Sequence, residues 1–296
     1  MNKKMEIYNE IIAPVIEELV DIHSKKFRKS KKEIYENIKI AIGDLIKKYY
    51  KEPDIDYSDF YVRIGYLHCL VPGLAHCCSE LIKEAQKKKY FREKKIDMIV
   101  FGGGPGTELL AISKNLKGKN INFCLVDKVM SWADCWNLLK KRIKERKQEL
   151  RLSLDCDFMQ IDVTNLEDLE ENFSRLIDNE YFFINYLISD IYQKRKLIKF
   201  EVFLEKMIDY KVAHGKKMVI FLADRNEPKI KKEIERIFYD KIFYDLDLSQ
   251  KFFSESEIGS PENYNRNLEP VKHLGIPKGS KFKIIQYIFE SRNIPF

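Results

Sequence analysis

The fold of this chain is decided by residues 96–110, which read IDMIVFGGGPGTELL. An apolar run ends at Phe101 and passes directly into glycines at positions 102, 104 and 106. Glycine carries no Cβ and tolerates positive φ, so such a turn lets a ligand lie against the backbone. The helix that follows begins with free N–H groups that can bind a polar ligand. The stretch therefore predicts a strand, a ligand-binding turn and a helix, with contacts from Gly102, Gly103, Gly104 and Gly106.

After this stretch, short apolar runs rich in β-branched and aromatic residues alternate with helical segments. This alternation is typical of a parallel sheet with helices on its faces. The predicted parallel strands are 96–101, 122–126, 156–161, 181–188 and 217–222. The predicted helices are 108–116, 131–149, 166–178, 197–210 and 228–238.

Two later β-rich runs lie at 241–246 and 282–289, with no helix of similar length between them. Such a connection suits antiparallel strands, so we expect the two runs to pair at one edge of the sheet. The segment 252–281 is rich in turn residues and predicts a long loop that helps to shape a substrate pocket. The predicted sheet therefore has five parallel strands and a terminal antiparallel pair.

The first 95 residues are predicted to be helical, because their apolar residues recur at helical spacing. Ile34, Ile38 and Ile42 form one such stripe. Pro14 and the Pro72-Gly73 pair are expected to interrupt two of the helices. We therefore divide the chain into an N-terminal helical extension, 1–95, and a ligand-binding domain, 96–296.

Polar residues follow the predicted strands at the carboxyl edge, where open α/β sheets bind their ligands. Asp127 follows the second strand and can accept hydrogen bonds from both hydroxyls of a ribose. Asp162 follows the third strand and can accept a hydrogen bond from an adenine amino group, while Val163 can cover the ring. Near the end of the fourth strand, the residues expected to face a substrate are Asn185, Tyr186 and Ser189.

These motifs resemble those of the class I S-adenosylmethionine-dependent methyltransferases. The sequence matches the glycine-rich first motif of that family at Gly102, Gly104 and Gly106, its ribose-binding acid at Asp127 and its adenine-side acid at Asp162. The resemblance covers roughly residues 90–290, including the terminal antiparallel pair. It implies a Rossmann-like α/β fold that binds S-adenosylmethionine through Gly102, Gly103, Gly104, Gly106, Asp127, Lys128, Asp162 and Val163.

The resemblance also implies methyl transfer, with Asn185, Tyr186 and Ser189 as the catalytic candidates. Many members of the family carry an acidic residue two positions before the first glycine, where this chain has Val100. The third glycine of a nicotinamide-binding turn would fall at Thr107, so that pattern is not met.

The methyl acceptor is not assigned by the sequence. Transfer from a sulfonium needs alignment and sometimes a base, so no particular side chain is obligatory. Residues 185–188 lack the prolines typical of enzymes that methylate the amino groups of adenine or cytosine, and no Pro-Cys pair is present for attack on cytosine C5. The net charge of +7 favours RNA slightly over a small molecule or a protein side chain. The alternative is a catalytically inactive member of the fold that acts as an RNA-binding or assembly factor, and Val100 favours that alternative.

Composition excludes several other classes of protein. The 296 residues are 45% hydrophobic, 33% charged and 12% aromatic, which is neither collagen-like nor disordered. The sequence has no apolar run of membrane-spanning length and no secretory cleavage signal, so we expect a cytoplasmic protein. The cysteines lack the spacing of a disulfide framework, and His68-Cys69 and His76-Cys77-Cys78 lie in one apolar stretch. We therefore expect buried thiols and no metal.

Three further features each have two interpretations. Tyr66 either packs in the core, which we favour, or folds over the ligand as a lid. Trp132 and Trp136 are one helical turn apart and are favoured as packing residues over a platform for stacking bases. The basic segment 140–151, KKRIKERKQELR, is favoured as solvated surface over a stripe that binds phosphates.

Overall fold

A computed structural model describes residues 8–48, 55–193, 196–240, 254–258, 274 and 282–290. Its centre is a seven-stranded sheet with the order β3-β2-β1-β4-β5-β7-β6. The strands are β1 (Lys95–Phe101), β2 (Asn120–Asp127), β3 (Ser153–Gln160), β4 (Tyr181–Asn185), β5 (Val219–Arg225), β6 (Ser254–Ile258) and β7 (Phe282–Glu290).

Strands β1 to β5 are parallel, and β7 runs antiparallel to both β5 and β6. The sheet grows in one direction from β1 to β3 and in the other direction from β4 to β5, so the order reverses between β1 and β4. Ligands of open α/β sheets bind at the carboxyl ends of the strands beside such a reversal. The strand order confirms the predicted Rossmann-like sheet of the class I methyltransferases.

Helices cover both faces of the sheet. They are α1 (Ala13–Phe27), α2 (Lys31–Lys48), α3 (Phe60–Cys69), α4 (Val71–Lys87), α5 (Thr107–Asn115), α6 (Trp132–Glu145), α7 (Lys147–Leu150), α8 (Leu166–Glu171), α9 (Phe173–Ile177), α10 (Leu187–Gln193), α11 (Leu197–Ala213) and α12 (Pro228–Glu235). Two π-helical turns, Tyr8–Ile12 and Arg236–Asp240, precede α1 and follow α12. None of the helices in the described ranges combines the length and apolarity that crossing a bilayer requires.

The central strands are almost continuously apolar because both of their faces are buried. On one face, α1 to α6 pack in a core that joins Val20 and Ile82 to Val100 of β1. On the other face, α8 to α12 pack in a second core that joins Phe200 to Ile99 of β1. The N-terminal helices therefore share a hydrophobic core with the sheet.

The fourth strand is shorter than the sequence predicts, since it ends at Asn185 rather than at residue 188. Tyr186 has a φ of 58°, a left-handed conformation that does not continue a strand. Helix α10 then begins at Leu187. The apolar run 181–188 thus contains the end of a strand, one strained residue and the first turn of a helix.

The prediction of a loop throughout 252–281 is wrong, because β6 lies within it. This strand pairs antiparallel with β7, from Ser254 opposite Gln286 to Ile258 opposite Phe282. Its polar sequence, Ser-Glu-Ser-Glu-Ile, suits an edge strand and gives no apolar signal. The strand predicted at 241–246 lies outside the described residues.

Pro14 and Pro72 each lie in the first turn of a helix, α1 and α4. A residue without an N–H group costs no intrahelical hydrogen bond at the start of a helix. The π-helical turn Tyr8–Ile12 passes directly into α1 beside Pro14, so the regular helix is interrupted there by a change of helix type. The break expected near Pro72 is present, with Leu70 between the end of α3 and the start of α4.

Candidate functional site

The glycine turn after β1 is held by hydrogen bonds to the neighbouring strand. The backbone N–H groups of Gly102 and Gly103 donate to the carbonyl oxygen of Val126, at 2.8 and 3.2 Å. The N–H group of Gly104 donates to Asp127 Oδ2 at 2.9 Å. The chain itself therefore fixes the turn onto the carboxyl end of β2.

Two of the glycines are needed for different reasons. Gly106 has a φ of 88°, and a Cβ at that position would lie 2.6 Å from the ring of Trp136, so the turn packs on α6 only without a side chain. Gly104 has a φ of 49°, and the nearest atom to its Cβ position is 3.7 Å away on Trp132. Gly104 lines the large cavity described below, so its missing side chain leaves room for a ligand.

Asp127 is the polar centre of the site. Its Oδ1 accepts a hydrogen bond of 2.8 Å from the N–H group of Val129, as Oδ2 does from Gly104. Burial raises the pKa of Asp127 to about 6, although these two hydrogen bonds act in the opposite direction. Each carboxylate oxygen has a second lone pair, so the group can accept two more hydrogen bonds from the hydroxyls of a ligand.

Asp162 lies two residues after β3 and is oriented by Thr164. The N–H and Oγ1 groups of Thr164 donate to Asp162 Oδ1, at 2.9 and 2.7 Å. Burial alone would raise the pKa of Asp162, but these hydrogen bonds outweigh it and leave the pKa below its usual value. Because both hydrogen bonds end on Oδ1, the other oxygen is the one that can accept from a ligand.

These side chains line one cavity of about 700 Å³ at the carboxyl edge of the sheet. A volume of this size is typical of small-molecule sites. The predicted site residues on its wall are Gly102, Gly104, Asp127, Lys128, Asp162, Val163, Asn185 and Tyr186. The topology thus brings together most of the residues that the sequence singled out.

Three predicted residues are not on that wall. Gly103 lines a smaller neighbouring cavity, and Gly106 packs against Trp136. Ser189 is fully buried: its N–H group donates to Asp224 Oδ2 at 3.0 Å and its hydroxyl donates to the carbonyl of Tyr186 at 3.2 Å. These contacts give Ser189 a structural role, and its assignment as a catalytic residue stays a prediction.

An aromatic cluster closes one side of the large cavity. Tyr66 of α3 and Trp132 of α6 meet edge to face with ring centroids 5.5 Å apart, and Tyr57 lies 5.4 Å from Tyr66. All three residues line the cavity. Arg63 holds the segment in place, because its guanidinium donates to the carbonyls of Tyr57 and Ser58, at 3.1 and 2.5 Å. Tyr66 therefore packs against the hydrophobic core, as we favoured, and it also belongs to the cavity wall.

Trp136 is a packing residue, as expected. It is 1% exposed and stacks on Phe123 of β2 with ring centroids 5.4 Å apart. Trp132 is also buried, but it contributes to the cavity wall. Neither ring is exposed as a platform for stacking bases.

One buried polar pair beside the turn was missed by the sequence analysis. Asn185 Nδ2 donates to Glu108 Oε1 at 2.8 Å, and the two residues are 7% and 4% exposed. Burial raises the pKa of Glu108 to about 7. The pair lines the smaller cavity, whose volume is about 30 Å³. The sequence does show an acid, Glu108, in the first helical turn after the glycines. Its hydrogen-bond partner, Asn185, lies 77 positions away in the sequence, so the pair is not visible in a local pattern.

The basic segment 140–151 contributes three cations to ion pairs within the chain. Lys141 and Arg142 contact Glu18 of α1 at 2.9 and 2.7 Å, and Arg146 pairs with Glu10. These ion pairs join α6 to the N-terminal helix. Three cations of the segment are therefore paired with acidic side chains of this chain.

Three of the cysteines and histidines near residue 70 pack in the core. His68, Cys77 and Cys78 are buried in α3 and α4, and all six cysteines are free. Burial raises the pKa of Cys77 to about 12, so its thiol stays protonated and accepts a hydrogen bond from the Tyr186 hydroxyl at 3.1 Å. Among the described residues, no group of three or more His, Cys, Asp or Glu side chains is arranged to hold a metal ion.

Comparison with known proteins yields similarity in structure only. No family model matches the sequence, and no curated protein matches it. The plantazolicin methyltransferase BpumL, in complex with a triazolic desmethylPZN analog and SAH, is similar with a TM-score of 0.46 and 14% identity, over 88% of this chain and 100% of that one.

Two other solved structures are similar at comparable levels. Precorrin-6y C5,15-methyltransferase from Geobacter metallireducens has a TM-score of 0.40 and 12% identity, over 73% of this chain and 87% of its own. The methyltransferase domain of bacterial CtHen1-CN has a TM-score of 0.41 and 15% identity, over 71% of this chain and 97% of its own. The fold assignment of this chain rests on its own strand order and terminal antiparallel pair.

Proposed function

We propose that this chain is an S-adenosylmethionine-dependent methyltransferase. The observation that carries the proposal is that the glycine turn, Asp127 and Asp162 line a single cavity of about 700 Å³. That cavity lies at the carboxyl edge of a sheet whose strand order reverses there. Three elements that are separate in sequence thus meet at the place where the fold binds ligands.

The polar groups of the cavity fit an adenosine. The Asp127 carboxylate has lone pairs for the two ribose hydroxyls, while the hydrogen bonds from Gly104 and Val129 hold its orientation. Asp162 can accept from the adenine amino group, and Val129 and Val163 supply apolar surface for the ring. Lys128 also lies on this wall, and its charge acts on both acids.

S-adenosylmethionine, when bound, supplies a methyl group on a sulfonium for in-line transfer to a nucleophile. In the proposal, Tyr186 orients the acceptor, because it lines the large cavity, while the assignment of Asn185 as a catalytic residue stays a prediction, since its amide donates to Glu108. The left-handed φ of Tyr186 costs about 1–3 kcal/mol, and strain of this kind is concentrated at functional sites. A hydrogen bond of 2.7 Å from its N–H group to the carbonyl of Ala223 holds that conformation.

The N-terminal helical extension completes the pocket in this proposal. Tyr57 and Tyr66 come from that part of the chain and pack against Trp132 of the predicted ligand-binding domain. An aromatic cover over the cofactor would keep water away from the reacting atoms. The division of the chain at residue 95 then separates a cover from a cofactor-binding domain, although the two share one core.

The charge of the chain bears on the class of methyl acceptor. The net charge of +7 favours RNA over a small molecule or a protein side chain. The ion pairs of Lys141, Arg142 and Arg146 with acidic side chains remove part of that argument. The predicted cytoplasmic location is compatible with all three acceptors and stays a prediction.

The second candidate is an inactive member of the fold that acts as an RNA-binding or assembly factor. Val100, fully buried where many members of the family carry an acid, favours this candidate. A pure scaffold has no need of a competent cofactor site, so binding of the cofactor separates the two functions.

Isothermal titration calorimetry tests the proposal. S-adenosylmethionine and S-adenosylhomocysteine should each bind with one site per chain at micromolar affinity, and NAD should not bind. Incubation with S-adenosylmethionine labelled in its methyl group, with total RNA or with a protein and metabolite extract, then identifies the acceptor class. Absence of binding by both adenosyl compounds overturns the proposal and favours the scaffold.

A further inference from the structure

We infer that Glu108 and Asn185 form a buried subsite for the α-ammonium group of an amino-acid ligand, and that this subsite receives the amino-acid end of S-adenosylmethionine. The inference rests on the proposed function and deepens it, since it assigns a binding role to residues outside the glycine and aspartate motifs. Three observations support it: two buried oxygen atoms without hydrogen-bond donors, the size and position of the cavity beside them, and the charges of the neighbouring side chains.

Two acceptor oxygens at this place have no hydrogen-bond partner. Asn185 donates its amide to Glu108 Oε1, which leaves Glu108 Oε2 and Asn185 Oδ1 without a donor in the described structure. Both atoms are buried. A buried acceptor without a donor costs about 1–3 kcal/mol, and more when it is charged. When Glu108 is charged, the pair therefore lacks a group that donates hydrogen bonds to two oxygens, and an ammonium group with three N–H donors has that property.

The small cavity has the size of such a group. Its volume of about 30 Å³ holds one or two water-sized groups, and an ammonium is about as large as a water molecule. Glu108 and Asn185 both line it. A larger ligand group would not fit without movement of the surrounding side chains.

The position of the cavity suits the amino-acid end of the cofactor. Gly102 and Gly104 line both the small and the large cavity, as do Asn185 and Tyr186. A ligand whose ribose lies at Asp127 can therefore extend along the glycine turn and reach Glu108 with its other end. S-adenosylmethionine carries its ribose and its ammonium group on opposite sides of the sulfur, as this arrangement requires.

The charges around Glu108 also favour the binding of a cation. Among the described residues, no Lys or Arg side chain pairs with Glu108. Two titratable groups face Glu108. Burial keeps the thiol of Cys78 of α4 protonated. The charge of Asp127 of β2 raises the pKa of Glu108, as burial does. Burial thus raises the pKa of Glu108 to about 7 in the absence of a ligand. An ammonium beside it would favour the carboxylate form and lower that pKa.

A pair of ligands isolates the ammonium. S-adenosylhomocysteine and its deamino analogue, in which hydrogen replaces the ammonium group, share the adenosine, the sulfur and the carboxylate. Calorimetry on the wild-type chain should show about 10- to 100-fold tighter binding of S-adenosylhomocysteine, as expected for hydrogen bonds to charged groups. This comparison needs no variant and so does not depend on the folding of one.

Glu108→Gln then tests the residue. The variant should bind S-adenosylhomocysteine about 10-fold or more weakly and the deamino analogue as tightly as the wild type, so that the preference between the two ligands is lost. Asp162→Asn is the matched control, since it lines only the large cavity. It should weaken both ligands by the same factor and keep the preference.

Proton release supplies a readout that a merely structural role of Glu108 would not change. Because burial raises the pKa of Glu108 to about 7, some of the Glu108 side chains are protonated before binding at neutral pH. Calorimetry in buffers of different ionisation enthalpy should therefore record proton release with S-adenosylhomocysteine. The deamino analogue and the Glu108→Gln variant should release fewer protons.

The outcomes separate this inference from the proposed function. If both ligands bind the wild type with equal affinity, the ammonium subsite is wrong while the cofactor assignment stands. A preference that survives in Glu108→Gln likewise overturns the role of Glu108 alone. If neither ligand binds the wild type, the proposed function fails and the inference fails with it.

Discussion

The N–H group of Gly104 donates a hydrogen bond of 2.9 Å to Asp127 Oδ2. This contact joins the middle of the glycine turn after β1 to the acid at the end of β2, 23 residues away. The two motifs that the sequence offered separately are therefore one structural unit. A change at either residue should alter both the shape of the turn and the binding of a ribose.

Asp127→Ala should weaken the binding of S-adenosylhomocysteine by about 1.5–3 kcal/mol, the range for hydrogen bonds to charged groups. The reason is the loss of acceptors for the ribose hydroxyls, together with the loss of the contacts to Gly104 and Val129. Titration calorimetry measures the change. Asp134→Ala, an exposed acid on α6, is the control and should bind like the wild type. Unchanged affinity in folded Asp127→Ala would mean that the ribose lies elsewhere.

Gly106→Ala and Gly104→Ala should differ in their effects. At position 106 the added methyl group would clash with Trp136, and the alanine backbone would have to keep a left-handed conformation. The free energy of unfolding should therefore fall by about 2–4 kcal/mol. At position 104 the added methyl group has space in the folded chain, so stability should fall only by the conformational cost of about 1–2 kcal/mol. The same methyl group projects into the cavity, so ligand binding should weaken. Urea denaturation and calorimetry measure the two effects. Equal loss of stability in both variants would contradict this division of roles.

The stability of the ligand-free chain should depend on the protonation of Glu108. Its pKa is about 7 when folded and near 4.5 when unfolded, so the folded state binds more protons between these values. Stability therefore falls as the pH rises through this window, by on the order of 3 kcal/mol for this residue. Buried Asp127 and Asp224, each with a pKa of about 6, contribute in the same direction.

Glu108→Gln isolates that contribution, because the amide does not titrate. Relative to the variant, the wild type should lose stability between pH 4.5 and pH 7 and remain level above that range. Urea denaturation of both proteins at pH 5 and pH 8 gives the comparison, with the exposed Glu33→Gln as the control that should follow the wild type. A constant difference between wild type and Glu108→Gln at the two pH values would show that Glu108 is not a buried titrating group.

Glu18 should couple energetically to Arg142 across the contact of α1 with α6. The two side chains lie 2.7 Å apart and are partly exposed, and the hydrogen bond from Lys141 is the main cause that lowers the pKa of Glu18. A double-mutant cycle with Glu18→Ala and Arg142→Ala should give a coupling of about 0.5–1 kcal/mol at low salt, and less at high salt. Zero coupling at low salt would contradict a stabilising ion pair between Glu18 and Arg142.

The sheet and the cofactor side of the site were predictable from local sequence. β1, β4 and β5 are short apolar runs, Asp127 is the last residue of β2, and Asp162 lies two residues after the end of β3. The carboxyl ends of parallel strands meet at one edge, so residues at these positions must converge whatever their separation in the chain. Position relative to a strand end was therefore sufficient to place Asp127 and Asp162 on the same cavity.

The rest depends on contacts that no local pattern contains. The apolar run 181–188 gave no sign that Tyr186 adopts a left-handed φ and ends β4, because the conformation is held by Ala223 of β5. The burial of Glu108 needs Asn185 to arrive from another strand. The polar strand β6 is recognisable only through its pairing with β7.

The most direct measurement of the central claim is a crystal structure of the chain with S-adenosylhomocysteine. The account predicts that both ribose hydroxyls lie within about 3 Å of the Asp127 carboxylate, with the adenine beside Asp162 and Val163. Adenosine bound outside this cavity, or a ribose whose hydroxyls contact groups other than Asp127, would contradict the account.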